Sequence, residues 1–440
     1  MQSSNRYALP FAMMTGLFFM WGFITVMVDA LIPRLRDVFE LTYFQAGMVQ
    51  FSFFTAYAVV SIPGGYLISR VGYKRGVVAG LLIMGIACLL FFPAASYRVF
   101  GLFLFALFLL ASGITILQVA ANPYVSVLGP PQLASSRLNL SQAFNSLGTT
   151  LAPLVSAAFI LDATVLNSSQ IMALSDAARV AYYSAEAAAV QNPFLFLAVT
   201  LLVLALVFGL LRLPKILETD QDKSGSYRSA VKHRHLMLGA LGIFLYVGAE
   251  VTIGSYLVNY FLSLDVASLV EHSGLMTWLA STLSGNDILQ MNPARLAGTF
   301  VFFYWGGAMV GRFIGSWLLR FVKPGRLVAV YGIINVGLLL ITIMAEAYVA
   351  FWSVLMIGLF NSIMFPTIFT LAINRLGQNT AQGSGILCTA IVGGAIIPPL
   401  YGALADIIGL QAAFIIPVLC YIYISFYGHY GSRIKQSAYA

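Results

Sequence analysis

The chain has 440 residues, of which 60% are hydrophobic and 9% charged, with mean hydropathy +0.90 and a formal net charge of +8. So little charge cannot cover the surface of a soluble protein of this length. The Lys and Arg residues are spread over many short loops rather than gathered in a patch, which argues against nucleic acid as a partner.

Apolar runs of about 20 residues, the length that crosses a bilayer core as a helix, recur from end to end. They fall at 8–33, 44–69, 76–96, 101–124, 138–162, 194–213, 236–262, 297–319, 327–346, 350–374, 383–405 and 411–429. The pattern predicts an all-α membrane protein with twelve transmembrane helices and the lipid bilayer as its surroundings. Barrel strands would alternate polar and apolar residues, and these runs do not. The start MQSSNRYALP has one basic residue and no early small-residue cleavage site, so the first span is expected to serve as an uncleaved signal.

A charge at the bilayer centre costs at least about 2.5–3.5 kcal/mol, so ionisable residues inside spans are candidates for function. Three lie well inside: Asp29, Glu250 and Arg312. In the first span, Asp29 shares a helical face with Thr25 and Gly22. Desolvated there, it is a candidate proton carrier; the alternative is a helix-end carboxylate near Arg34 or Arg36. The second span, QFSFFTAYAVVSIPGGYLISR (50–70), aligns without gaps on FVFFYWGGAMVGRFIGSWLLR (300–320) in the eighth. Phe53, Ala58, Val60, Gly65 and Arg70 match Phe303, Ala308, Val310, Gly315 and Arg320. Gly148 to Pro153 in the fifth span echoes Gly393 to Pro398 in the eleventh. An internal repeat of six spans follows, with halves at 1–213 and 236–440 joined by a linker at 214–235.

The fourth span carries Thr115, Gln118 and Asn122 on one face, just before Pro123. The fifth repeats the pattern with Gln142, Asn145 and Thr149, and in the tenth Asn361 precedes Pro366 by five residues, as Gln118 precedes Pro123. Amides offer donors and acceptors without net charge, which suits the hydroxyls of a sugar. A single amide serves equally well as glue between helices; two such stripes on neighbouring helices point to a lined cavity. Trp21, Tyr256, Tyr304 and Trp305 are candidates to stack on a sugar ring. In the seventh span Glu250 lies between Gly248 and Gly254. Its possible roles are sugar contact, proton carriage, sodium ligation, or an ion pair with Arg312 that holds the halves together. Arg312 is read as a packing or gating residue.

Lys and Arg favour one side: Arg6, Arg70, Lys74, Arg75, Arg137, Arg212, Lys215, Lys223, Arg228, Lys232, Arg234, Arg320, Lys323, Arg326, Arg375, Arg433 and Lys435 against Arg34, Arg36, Arg98, Arg179 and Arg295. By the positive-inside rule both termini are cytoplasmic. Cys88, Cys388 and Cys420 fall within spans and are read as small buried hydrophobes. No HExxH, nucleophile elbow or Gly-Lys phosphate loop is present, so an enzyme is not expected.

AANPYVSVLGP (120–130) followed by RLNLSQAFNSLGT (137–149), with FPTIFTLAINRLG (365–377), closely resembles the bacterial fucose–galactose–glucose symporters of the major facilitator superfamily. YVGAEVTIGSYLVNY (246–260) is similar to the glucose/galactose branch, and GGYLISRVGYKR (64–75) to the superfamily loop after the second helix. The acidic residue usual in that loop is Ser69 here, so the salt bridge it would make to the neighbouring half is not expected.

The resemblance implies two pseudo-symmetric six-helix bundles, alternating access, and import of a hexose of the glucose or galactose type by cation symport. It places a family aspartate on Asp29, a family glutamate on Gln118, and fifth-helix amides on Gln142 and Asn145. A glutamine cannot titrate, so coupling is expected at Asp29 or Glu250. The substrate set is expected to be Gln118, Asn122, Gln142, Asn145, Glu250 and Asn361.

No cofactor or resident metal is expected. The coupling ion is H+ or Na+, the proton slightly favoured, and a sodium would sit near Glu250 or Asp29. The protein is expected as a monomer in a bacterial inner membrane. The alternatives are sodium-coupled import of fucose, mannose or N-acetylglucosamine, a drug or metabolite exporter, and a non-transporting sugar sensor. The sensor lacks a signalling domain.

Overall fold

A computed structural model describes residues 2–39, 43–97, 99–160, 173–211, 213–214, 225–284 and 291–434; for 2–6, 28–39, 43–50, 154–160 and most of 176–190 it describes the backbone alone. Every described regular element is helical, as hydrocarbon demands when each backbone N–H and C=O must find an internal partner. In chain order they are α1 (Gln2–Phe39), α2 (Tyr43–Val71), α3 (Tyr73–Tyr97), α4 (Phe100–Val127), α5 (Ala134–Ile160), α6 (Asp176–Leu210) and α7 (Arg234–Ser263). Then follow α8 (Pro293–Leu318), α9 (Pro324–Met344), α10 (Ala347–Ile373), α11 (Gly377–Ile408) and α12 (Leu410–Gly431). Among the described residues ten of these are long and apolar enough to cross a membrane, and α5 and α8 complete the twelve. Two short helices, Val266–Glu271 and Gly274–Ser284, fill the connection between α7 and α8.

Two spans read as continuous in the sequence are broken. α10 is helical over Ala347–Asn361 and again over Met364–Ile373. α11 is helical over Thr380–Thr389 and Gly393–Ile408, with a tighter turn at Ala390–Val392 between them. Apolarity is uniform across both breaks, so a hydropathy pattern cannot reveal them.

The chain packs as two compact units: Met1–Gly129, Phe144–Tyr227 and Gly377–Thr389 form one; Pro130–Ala143, Arg228–Leu376 and Ala390–Ala440 form the other. The start of α5 therefore packs among later helices, and the start of α11 among earlier ones. In the first unit α3 lies on α4 and α6, α2 lies on α4, and the start of α11 lies on both α2 and α4. In the second, α8 and α9 pack on α10, α9 on α12, and the later part of α11 on α7.

The internal repeat is visible as matching contacts. A methyl group at Gly148 would fall 2.2 Å from the Phe19 carbonyl oxygen of α1, and one at Gly393 would fall 2.0 Å from the Phe244 carbonyl oxygen of α7. Each glycine lets its helix lie backbone to backbone on the first helix of a repeat. Cys88, Cys388 and Cys420 are buried and unpaired, as small apolar residues would be.

Close approach gives a stability test. A methyl at Gly358 would stand 2.1 Å from the Tyr304 carbonyl oxygen, whereas one at Gly337 meets nothing within 4 Å. Gly358→Ala is expected to cost about 1–3 kcal/mol through overpacking. Gly337→Ala, mid-helix in α9, should gain up to about 1 kcal/mol from helix propensity. Thermal unfolding in detergent would check the pair; equal midpoints for the two variants would contradict the close helix contact.

Candidate functional site

The polar residues singled out in the sequence fall into two clusters, one in each unit. Both begin with a backbone problem. Proline has no N–H, so the carbonyl four residues before it is left without its helical partner.

In α4, Pro123 frees the Val119 carbonyl, and Ser384 Oγ from the start of α11 donates to it at 2.8 Å. One turn up, Gln118 Nε2 donates to Tyr57 Oη of α2 at 2.6 Å, and Gln118 is only 6% exposed. Thr115, on the same face, donates back to the Ala111 carbonyl at 2.8 Å and so stays within its own helix. Asn122 is fully buried, and both atoms of its side-chain amide lack a hydrogen-bond partner. An unsatisfied buried amide is costly; its burial keeps it from solvent-borne ligand in the conformation described. In α5, Asn145 Nδ2 donates to the Phe18 carbonyl of α1 at 2.8 Å, opposite Gly22, where a methyl would meet the Asn145 carbonyl at 2.3 Å. Gln142, earlier in α5, is buried and belongs with the start of that helix to the second unit. The side chain of Asp29 lies outside the described residues.

The second cluster is centred on α10. Pro366 frees the Ser362 carbonyl, and Arg312 Nε of α8 donates to it at 3.2 Å. The packing role expected for Arg312 thus has a definite acceptor. Asn361, the last residue before the break, is 1% exposed. Its Oδ1 accepts from Asn335 Nδ2 of α9 at 2.9 Å and from Tyr421 Oη of α12 at 2.7 Å, while its Nδ2 donates to Tyr304 Oη of α8 at 2.9 Å. The expectation that Asn361 contacts substrate changes accordingly: in this conformation its amide is spent on three neighbouring helices.

Glu250 joins the same network. Tyr246 Oη, one turn earlier on α7, donates to Glu250 Oε1 at 2.7 Å and lies 3.1 Å from the Asn361 carbonyl oxygen. Arg312 interacts electrostatically with Glu250. Both residues lie in the second unit, so their attraction acts within it. Glu250 remains partly exposed. Among the described residues no cluster of His, Cys, Asp and Glu could hold a metal ion.

Of the four aromatic candidates, Tyr304 is 1% exposed with its hydroxyl in the network, and Trp21 packs edge-on against Phe18 with centroids 5.4 Å apart. Tyr256 packs against Tyr401 at 4.7 Å, and Trp305 alone of the four is well exposed, at 47%. Sequence reasoning missed Tyr57, Tyr246, Asn335, Ser384 and Tyr421. Two signals were available. Tyr246 precedes Glu250 by one helical turn, and Asn335 is the amide in the otherwise apolar run YGIINVGLLLITIM.

The start of α5 is fastened in the second unit by neutral groups. Ser136 Oγ donates to the Ser316 carbonyl at 2.7 Å while Ser316 Oγ donates to the Ser136 carbonyl at 2.9 Å. Ser135 and Thr370 share a hydroxyl contact at 2.6 Å, and Asn139 Nδ2 donates to Thr367 Oγ1 at 3.0 Å. In the first unit the start of α11 meets α2 at facing glycines, Gly65 and Gly385. Tyr227, from the turn before α7, donates to the Ile62 carbonyl beside them. Burial pushes the Tyr227 hydroxyl well above its usual range, so it remains a donor at any physiological pH. Ser69, at the place of the usual acidic residue, donates to the Tyr66 carbonyl of its own helix at 2.7 Å.

The family model described as Major Facilitator Superfamily matches residues 11–391. The chain is 51% identical to the "Glucose/galactose transporter" of Brucella abortus, over 98% of this chain and 96% of that one. It is 33% identical to the "L-fucose-proton symporter" of Escherichia coli, over 98% of this chain and 94% of that one. Among solved structures it resembles the major facilitator transporter FucP in the outward conformation. The TM-score is 0.86 at 32% identity, covering 98% of this chain and all of the other.

The bond at the bend in α4 can be tested directly. Ser384→Ala would leave the Val119 carbonyl buried and unsatisfied, which is expected to cost about 1–3 kcal/mol. Ser384→Thr, which keeps the hydroxyl, should recover most of it. Melting curves in lipid nanodiscs would report both; an alanine variant as stable as the parent would show that the bond contributes nothing.

Proposed function

Because the chain belongs to the major facilitator superfamily, we propose that it imports a hexose of the glucose or galactose type by symport with a proton. The observation that carries this is the 51% identity, over nearly the full length of both chains, to a glucose/galactose transporter. Proton coupling is supported by relatives named for it, at 33% and 28% identity.

The two halves at 1–213 and 236–440 act as the moving bodies, joined by the linker at 214–235. Sugar binds near mid-depth of the membrane, as in other transporters built from repeats. Gln118, Gln142 and Asn145 present amides that can both donate to and accept from sugar hydroxyls. Glu250 supplies a partly exposed carboxylate from the opposite half. Asn122 and Asn361 belong to the bends of α4 and α10 and act by shaping the cavity. Glu250 or Asp29 carries the proton, since the amide at Gln118 cannot. The molecule works as a monomer in a bacterial inner membrane with both termini in the cytoplasm.

Uptake of labelled glucose and galactose into proteoliposomes should follow an inward proton gradient imposed alone, and should not respond to a sodium gradient imposed alone. Glu250→Gln and Asp29→Asn should divide the labour: the variant that keeps sugar exchange but loses gradient-driven accumulation identifies the carrier. Gln118→Glu should alter the pH dependence of uptake while leaving the fold intact. Uptake indifferent to both gradients would refute symport, and accumulation unaffected by either carboxylate substitution would refute both carriers.

A further inference from the structure

The hydroxyl of Tyr246 has two acceptors and one proton. It lies 2.7 Å from Glu250 Oε1 and 3.1 Å from the Asn361 carbonyl oxygen, and a phenol can donate only once. The first acceptor is the candidate carrier. The second is the residue at which α10 breaks. The next carbonyl along, Ser362, is the one Pro366 frees and Arg312 holds. Tyr304 Oη, besides receiving the Asn361 amide, lies 3.5 Å from the Glu250 backbone oxygen. Glu250 is therefore tied at several points to the broken segment of α10, and Tyr246 is the side chain that meets both its carboxylate and the Asn361 carbonyl.

We propose that Tyr246 is a positioning residue for proton coupling, switching its single hydroxyl proton between Glu250 and the Asn361 carbonyl. The proposal rests on Glu250 being the carrier. With Glu250 ionised, the charged acceptor is the stronger and takes the hydroxyl, which is the arrangement at 2.7 Å. When a proton arrives on the carboxylate, the new carboxyl O–H donates to the Tyr246 oxygen. The tyrosine O–H then turns to the Asn361 carbonyl. Tyr246 stays neutral throughout, no covalent bond of the side chain breaks, and the one proton gained resides on Glu250. Loading the carrier thus adds a tie between α7 and the break in α10, and unloading removes it. The titratable groups that bear on Glu250 are Tyr246 from its own helix, Arg312 and Tyr304 from α8, and Tyr421 from α12. Arg312 is the charged one, and it keeps its bond to the Ser362 carbonyl in either state.

The experiment compares wild type, Tyr246→Phe, Glu250→Gln and the double variant in proteoliposomes. Sugar exchange at equal pH on both sides and accumulation driven by a proton gradient are measured across a pH series. Tyr246→Phe is expected to retain exchange within a few-fold and to displace its pH profile by about one pH unit, the size expected for loss of a hydrogen bond to a charged group. Gradient-driven accumulation should fall about tenfold, the same free energy read as a ratio. In the Glu250→Gln background, Tyr246→Phe should produce no further change, because a positioning residue has nothing left to position. A wild-type pH profile and wild-type accumulation in Tyr246→Phe, with Glu250→Gln uncoupled, would overturn the inference and leave the carrier assignment standing. Wild-type coupling in Glu250→Gln would instead remove the carrier assignment and the inference with it. Should Tyr246→Phe fail to reach the membrane, infrared difference spectra of the wild-type protein between acid and neutral pH serve in its place. A tyrosine band changing together with the carboxyl band supports the switch; a carboxyl band changing alone overturns it.

Discussion

The need to satisfy every carbonyl in a medium without water organises both polar clusters. Pro123 and Pro366 each remove one N–H from a membrane helix, and an unsatisfied carbonyl there costs several kcal/mol. The two repeats solve the same problem differently. In the first unit the Val119 carbonyl is taken by a serine hydroxyl from the start of α11. In the second the Ser362 carbonyl is taken by the Arg312 guanidinium from α8. A serine hydroxyl is short and neutral, and it holds only while the start of α11 lies against α4. An arginine is charged, and once placed it needs a counter-charge and further acceptors. Glu250 is the acidic group that bears on it. The second unit thus meets its proline with a charged side chain, and the acid that bears on that charge lies in the same unit.

The exchanged segments follow the same chemistry without charge. Superfamily members typically carry an acidic residue where Ser69 stands, and Ser69 is turned back onto its own helix. The start of α5 is held instead by reciprocal serine bonds to α8 and by a hydroxyl pair and an amide to α10. The start of α11 is held by facing glycines and the Tyr227 hydroxyl. Each such bond is worth roughly 0.5–1.5 kcal/mol, and none is weakened by salt. A set of weak neutral bonds suits segments that must separate in a working cycle. An ion pair left half-broken in a low dielectric would be costly to part.

Twelve spans, their repeat, and the polar stripes on the fourth and fifth spans were legible in the sequence because each is written as periodicity or as polarity out of place. The breaks in α10 and α11 were not, because they interrupt backbone geometry and leave apolarity unchanged. The chemistry of Asn361 was half legible. Its spacing from Pro366 marked it, but its partners were not legible, since three side chains from α8, α9 and α12 come together on it only in the fold. Likewise Glu250 and Arg312 stood out as costly charges, yet 62 residues separate them in sequence, and only packing shows that they share one unit. Tyrosines were the least legible group. They are common in membrane helices, and nothing in the spacing separates Tyr57, which meets Gln118, from those that only pack.

Charge counting links these local solutions to the proposed symport. With Glu250 ionised, the second cluster holds one negative and one positive side chain and is neutral overall. A neutral site can be closed off from water at modest cost, which is what the return of an empty carrier requires. A proton on Glu250 cancels the one negative charge and leaves the cluster with a net positive charge, and occluding a net charge is costly. Loaded with the proton alone, the carrier is therefore disfavoured from closing, and contacts with a bound sugar can offset that cost. Gln118 fits this logic in the first unit. A neutral amide there, bonded to Tyr57, adds no titrating charge of its own. With an amide at Gln118, coupling under the proposed function falls to Glu250 or Asp29, and the change of net charge at the second cluster is what Glu250 would contribute to it.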